Sequence, residues 1–145
     1  MRLVVQRVKN ASVEVYGKVI GKIDEGLLVL LGVTHGDTEE KVDYLVRKLV
    51  NLRIFKDENN KMNLSVKDIN GEILIVSQFT LYANTSEGNR PSFTEAAKPE
   101  VANELYEYFK KKCAETGINV QSGEFGADMK IRLVNDGPVT VIVEK

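Results

Sequence analysis

The sequence predicts a β-rich α+β fold in one domain spanning residues 1–145, and three observations carry that reading. Short alternating or continuous apolar runs dominate the chain, only two segments show helical spacing, and these do not alternate with strands in a regular βαβ series. A chain of 145 residues can bury roughly two-thirds of its unfolded surface in a single core, so it needs no disulfide or metal to fold. No repeat, linker or second domain is evident.

Met1 to Val8 alternates apolar and polar residues around Arg2 and Arg7, which suits a first strand and not a signal peptide. Val13 and Val15, then Val19 and Ile23, flank Gly17-Lys18, a pair compatible with a type II′ hairpin. Glu25-Gly26 turns into Leu27 to Val33, whose unbroken apolar character is that of a buried strand. Asp37 with Glu40 three residues later forms a capping-box pattern, and Val42, Leu45, Val46 and Leu49 then recur on one helical face. Asp57 to Lys61 is a polar turn. Asn70-Gly71 is a stronger one, leading into Glu72 to Val76 and a strand region that ends in Ser77-Gln78-Phe79-Thr80-Leu81. Ala83 to Lys98, with Gly88-Asn89-Arg90-Pro91 at its middle, reads as a long surface loop of the kind that is often functional. Pro99 suits the first position of a second helix, with Glu100 and Glu104 near its start, Lys110 to Lys112 near its end and Gly117 as its stop. Val101, Leu105, Tyr108 and Phe109 form its expected buried stripe. Val120, Met129 to Val134 and Val139 to Val143 complete the sheet.

The last two runs are separated by Asn135-Asp136-Gly137-Pro138. Proline donates nothing to a sheet ladder and glycine weakens a strand interior, so the pair reads as a break, with a hairpin turn as the plain interpretation.

Composition removes several classes of function. Twenty basic and 21 acidic side chains leave a net charge of −1, so no global positive field draws the protein to nucleic acid, and any RNA contact must be local. No DNA partner is expected. The longest apolar run, Leu27 to Leu31, is far short of the roughly 20 residues that span a bilayer. Cys113, the single cysteine, permits no intrachain disulfide and suits a reducing compartment, so a cytoplasmic location is expected. Cys113 also falls late in the second helix beside Phe109, where a small core residue is the natural reading. His35, the one imidazole, stands in a polar loop. One histidine and one cysteine far apart give no zinc spacing, and the scattered glycines match neither a P-loop nor a dinucleotide fingerprint, so no metal and no cofactor are expected. Glu39-Glu40 lie where a helix dipole favours carboxylates. What remains is Ser77-Gln78-Phe79-Thr80, in which hydroxyls, a carboxamide and backbone N–H groups follow an apolar strand. That is the composition of an oxyanion site, and equally of a polar strand end with Phe79 in the core.

Ser77-Gln78-Phe79-Thr80-Leu81 and Asn135-Asp136-Gly137-Pro138-Val139-Thr140 together resemble the two signature motifs of the D-aminoacyl-tRNA deacylases, also called D-tyrosyl-tRNA deacylases. Met1 to Val8, Asn89-Arg90-Pro91-Ser92-Phe93 and Gly123 to Met129 are similar to further family segments. The resemblance implies a mainly antiparallel, β-barrel-like sheet with two α-helices packed outside it. It further implies a homodimer with active sites at the subunit interface, and hydrolysis of the ester joining a D-amino acid to the tRNA 3′ end. By the same resemblance Gly137-Pro138 is a cis pair that reaches into the partner's pocket and selects chirality, while Ser77, Gln78, Phe79 and Thr80 form the pocket motif. Met129 reads as pocket lining or core. Thr80 is a nucleophile on one view of such enzymes; on another, the terminal 2′-hydroxyl of the RNA moves the proton. No base stands beside Thr80 in the sequence, which favours the second view. A main-chain wall at the α-carbon implies rejection of L-aminoacyl-tRNA, and such a wall does not by itself exclude glycyl-tRNA. Arg90 is as consistent with a solvated loop as with an RNA phosphate. An editing hydrolase for mischarged L-aminoacyl-tRNA and a non-catalytic RNA-binding module stand as the alternatives.

Overall fold

A strand of 14 residues, β1 (Arg2–Val15), organises the sheet because it is long enough to serve three partners. The computed structural model describes residues 1–145. Arg2 to Val8 pairs antiparallel with β3 (Gly26–Gly32), and Ala11 to Val15 pairs antiparallel with β2 (Lys18–Ile23). The other edge of β1 carries β8 (Met129–Glu144) antiparallel along almost its whole length. β3 then pairs in parallel with β6 (Glu72–Ser77), and β6 in parallel with β7 (Asn119–Ser122). A small antiparallel pair, β4 (Phe55–Lys56) and β5 (Met62–Leu64), stands apart.

Helices α1 (Glu39–Val50) and α2 (Pro99–Glu115) supply the long crossovers that parallel neighbours need. The fold is α+β with mainly antiparallel pairing, but these two parallel junctions are βαβ units, against the expectation of none. Periodicity reports the type of each element and not its partner.

Both helices pack on one face of the sheet, where Leu3, Val5, Leu27, Val29, Ile73 and Ile75 meet Leu45, Leu49, Tyr106 and Phe109 in the main core. The opposite face holds a second cluster of Val8, Ala11, Val13, Ile23, Leu28, Leu74 and Val76. It is enclosed because the sheet curls until β2 lies against β6 and β7, a nearly closed barrel. β8 serves both cores: Met129, Ile131 and Leu133 pack on the second, whereas Val139, Val141 and Val143 pack on the first. No helix is long and apolar enough to cross a membrane.

Several local expectations are corrected. The first hairpin turns at Tyr16-Gly17, both at positive φ (48° and 76°) between the paired Val15 and Lys18, which is type I′ geometry and not a II′ turn at Gly17-Lys18. Thr38, not Asp37, is the N-cap of α1. The Asp37 carboxylate is buried and accepts from the Met1 ammonium (2.7 Å), the Thr34 amide (2.8 Å) and Lys41 (3.0 Å). The buried stripe of α2 is Ala102, Leu105, Tyr106, Phe109 and Cys113, with Val101 left 46% exposed and Tyr108 half-buried. Lastly, Gly137-Pro138 does not end a strand: β8 runs through it as a bulge.

Candidate functional site

At the C-terminal end of β6 the chain leaves the sheet at Ser77 and folds into a 3₁₀ turn, Phe79–Tyr82. The Gln78 amide donates to the Leu31 carbonyl at 2.8 Å, which ties the entry of the turn to the end of β3. The neighbouring position of β3 is packed close against the turn: a Cβ on Gly32 would meet Leu81 Cβ at 3.0 Å, the Gln78 carbonyl at 3.2 Å and the Tyr82 ring at 3.2 Å, so glycine lets the turn sit this near the strand. The first bond closing the turn runs from the Leu81 amide to the Gln78 carbonyl at 3.2 Å. The amides of Phe79 and Thr80 therefore precede it and are free of the turn's own ladder. The Gln78 carboxamide donates to the Thr80 hydroxyl.

A cavity of about 640 Å³ opens beside this turn, the size of a pocket for one small ligand group. Its walls are mainly apolar. Leu31 and Val76 come from the strand ends, Phe93 from the long loop, Tyr106 from α2, and Phe125 and Met129 from the segment entering β8. Phe79 lies 57% exposed with its ring edge-on to Phe93, centroids 5.1 Å apart, so it forms part of a cleft and not of the core. The Tyr106 hydroxyl is buried and shares its one proton between the carbonyls of Ile75 (3.1 Å) and Gly123 (3.3 Å), pinning β6 before Ser77 to the segment that follows β7. Burial pushes its phenol up to about 12, so it stays neutral.

Ser77, Gln78, Phe79 and Met129 thus line one cavity. Thr80 is exposed and lies outside the lining. Gly137 and Pro138 are exposed and do not line the cavity of their own chain. They occupy the β8 bulge. Gln6 pairs with Thr140 and Val8 with Asn135, so Asp136 to Val139 stand opposite Arg7 alone. The Gly137-Pro138 peptide is cis. The bulge is tied at both ends: Arg7 Nε donates to the Asp136 carbonyl at 3.1 Å, and the Val139 amide donates to Asn135 Oδ1 at 3.0 Å.

Neither of the two reactive side chains of the sequence reaches the cavity. His35 is an exposed loop residue whose Nε2 bonds the Thr94 carbonyl at 2.8 Å, and Cys113 is fully buried, its thiol pushed up to about 12 by burial. Arg90 is exposed on the loop. Phe93, Phe125 and Arg7 are the contributors that sequence reasoning assigned no role. The aromatics sit in aperiodic segments, and an arginine in an alternating strand reads as solvated, although Arg7 is only 3% exposed.

Comparison with known proteins gives this arrangement its class. A solved structure described as c-Myc DNA Unwinding Element Binding Protein superposes with a TM-score of 0.94 at 43% identity, covering 100% of this chain and 99% of that one. A family model described as D-Tyr-tRNA(Tyr) deacylase matches residues 4–144. The D-aminoacyl-tRNA deacylase of Thermosipho africanus is 59% identical over 99% of this chain and 97% of its own length, and that of Exiguobacterium sibiricum is 59% identical over the full length of both. The match over the whole chain makes the fold that of an enzyme class that deacylates charged tRNA. The chain belongs to the D-Tyr-tRNA(Tyr) deacylase family, and it is an enzyme of the D-aminoacyl-tRNA deacylase class.

Proposed function

We propose that this protein proofreads chirality in the cytoplasm: it binds the 3′ end of aminoacyl-tRNA, hydrolyses the ester of a D-amino acid or of glycine, and rejects the L-amino acid. The observation that carries the reading is the pair of amides at Phe79 and Thr80 that the turn leaves free, the first of them on a residue that lines the apolar cleft. An ester is already activated, so its hydrolysis needs a positioned water and donors aimed where charge develops on the carbonyl oxygen. Removing one such donor typically costs about 10²–10³ in rate, which makes main-chain N–H groups sufficient machinery.

Thr80 fits poorly as a nucleophile. Its hydroxyl accepts from the Gln78 carboxamide and has no basic partner, and His35 is committed to the Thr94 carbonyl. In the proposed step, water adds to the ester carbonyl carbon and the C–O bond to the ribose breaks. The neighbouring ribose hydroxyl relays the water's proton to the departing oxygen.

Selection by handedness falls to Gly137 and Pro138 of a second subunit. Both are exposed and turned away from their own cavity's lining, as a segment that completes a partner's cleft must be. A second feature supports a homodimer. Val4 pairs laterally with Leu30 on one side and Ile142 on the other, so three apolar side chains form a row on the sheet face opposite the helices, with Ile142 63% exposed. A rigid main-chain wall at the α-carbon admits hydrogen but no side chain, so rejection ignores side-chain identity and glycine passes.

Incubation with matched D- and L-tyrosyl-tRNA tests the reading. Release from the D-substrate alone supports it, preference for the L-substrate makes the protein an editing hydrolase, and release from neither leaves a binding module.

A further inference from the structure

The turn that carries the two candidate donors is gripped from outside the cleft. Arg2 Nη1 donates to the Leu81 carbonyl at 2.6 Å, its Nε engages the Glu144 carboxylate, and its guanidinium lies 4.9 Å from the centroid of the Tyr82 ring. The backbone of Arg2 is itself fixed, paired with Gly32 on one side and Glu144 on the other. The entry of the turn is tied by the Gln78 amide to the Leu31 carbonyl, and the exit by Arg2 to the Leu81 carbonyl. Phe79 and Thr80 lie between these two ties. Arg2 does not line the cavity, so it acts through the turn and not on a ligand.

Resting on the functional reading above, we propose that Arg2 is a positioning residue for deacylation, which aims the Phe79 and Thr80 amides by clamping the exit of their turn. The planar fork of arginine meets a carbonyl, a carboxylate and a ring face at once, and a lysine ammonium cannot do all three. Glu144 orients the fork. Small misplacement of donors is costly to rate while leaving the binding surface in place, so the signature is a loss in kcat and not in KM.

The test compares Arg2→Met, Arg2→Lys and Glu144→Gln with the wild type, using D-tyrosyl-tRNA over a range of salt concentrations. Arg2→Met is expected to lower kcat about 10- to 100-fold, with KM within about two-fold and its salt dependence unchanged. Arg2→Lys recovers only part of the loss, and Glu144→Gln shows a smaller loss in the same direction. Full kcat in folded Arg2→Met overturns the inference. So does a raised KM with flattened salt dependence at constant kcat, which would make Arg2 a phosphate contact. If Arg2→Met does not fold, Arg2→Lys carries the same test, since it keeps the charge and most of the stem. Absence of turnover in the wild type overturns the functional reading and this inference with it. Wild-type turnover with undiminished variants overturns this inference alone.

Discussion

Arg7, on the first strand, holds the main-chain carbonyl of Asp136, the residue before Gly137-Pro138, at 3.1 Å while its other arm donates to the Ile54 carbonyl at 2.6 Å. A residue only 3% exposed thereby anchors an exposed bulge to the interior. Its partner carboxylate, also on Asp136, lies 3.4 Å away. Arg7→Ala leaves two carbonyls without their charged donor and is expected to lower stability by about 2–4 kcal/mol. In the same variant the anchor of the proposed wall is gone, so hydrolysis of L-tyrosyl-tRNA rises relative to the D-substrate. Urea titration and the ratio of the two rates check both outcomes.

Gly137 is confined by the same contact. Its φ of 131° disfavours any L side chain, and an added Cβ would meet Val139 Cγ2 at 2.9 Å and Arg7 Nη2 at 3.0 Å. Gly137→Ala is expected to cost about 1–3 kcal/mol and to shift the bulge, relaxing rejection of the L-substrate. Unchanged discrimination in a folded variant would contradict the proposed wall.

Phe79→Pro and Thr80→Ala separate main-chain from side-chain chemistry. Proline is tolerated at the first position of a helical turn but removes the amide donor, so kcat should fall about 10²–10³-fold below that of Phe79→Ala, which loses the same ring and keeps the amide. Thr80→Ala keeps its amide and should stay within about ten-fold of wild type, against the roughly 10⁶-fold loss seen when a true nucleophile is removed. An acyl-enzyme trapped on Thr80 would reverse this assignment.

Burial raises both the Cys113 thiol, ordinarily at 9.0, and the Tyr106 phenol, ordinarily at 10.0, to about 12. The folded state therefore holds these protons more tightly than the unfolded chain. Their contribution is complete below about pH 9 and is lost as pH rises toward about 12. Melting temperature should fall across that alkaline window. At neutral pH, labelling of Cys113 by a thiol reagent should proceed only as fast as the protein opens.

Ile142→Arg places a charge in the apolar row with Val4 and Leu30. The expected outcome is a monomer by solution mass, folded but without D-specific turnover. A dimeric, fully active variant would remove that face from the proposed interface.

The elements themselves were largely legible in the sequence. Val42, Leu45, Val46 and Leu49 mark α1, and Pro99 and Gly117 bracket α2, because helical spacing and caps are local properties. Pairing was not legible: nothing in Leu27 to Leu31 or Glu72 to Val76 says that the two strands run parallel, since that depends on where a crossover helix lands. Gly137-Pro138 misled in a similar way. A Gly-Pro pair locally signals a break, yet Arg7 and Asn135 supply the bonds that carry the strand through it as a bulge. At the candidate cleft, composition and motif singled out Ser77, Gln78 and Phe79, which share its lining, but also Thr80, which does not. Phe93 and Phe125 were not, because both come from aperiodic segments brought to the cleft by tertiary folding.

The most direct measurement pairs two subunits: one carrying Phe79→Pro, with its turn disabled, and one carrying Gly137→Ala, with its wall relaxed. In the mixed dimer, about half of the sites combine the intact turn of the second subunit with the intact wall of the first. A wall supplied across the subunit interface predicts that the mixed dimer hydrolyses D-tyrosyl-tRNA and again rejects L-tyrosyl-tRNA. A mixed dimer that keeps the relaxed selectivity of the Gly137→Ala parent would contradict it, because turn and wall would then belong to one chain.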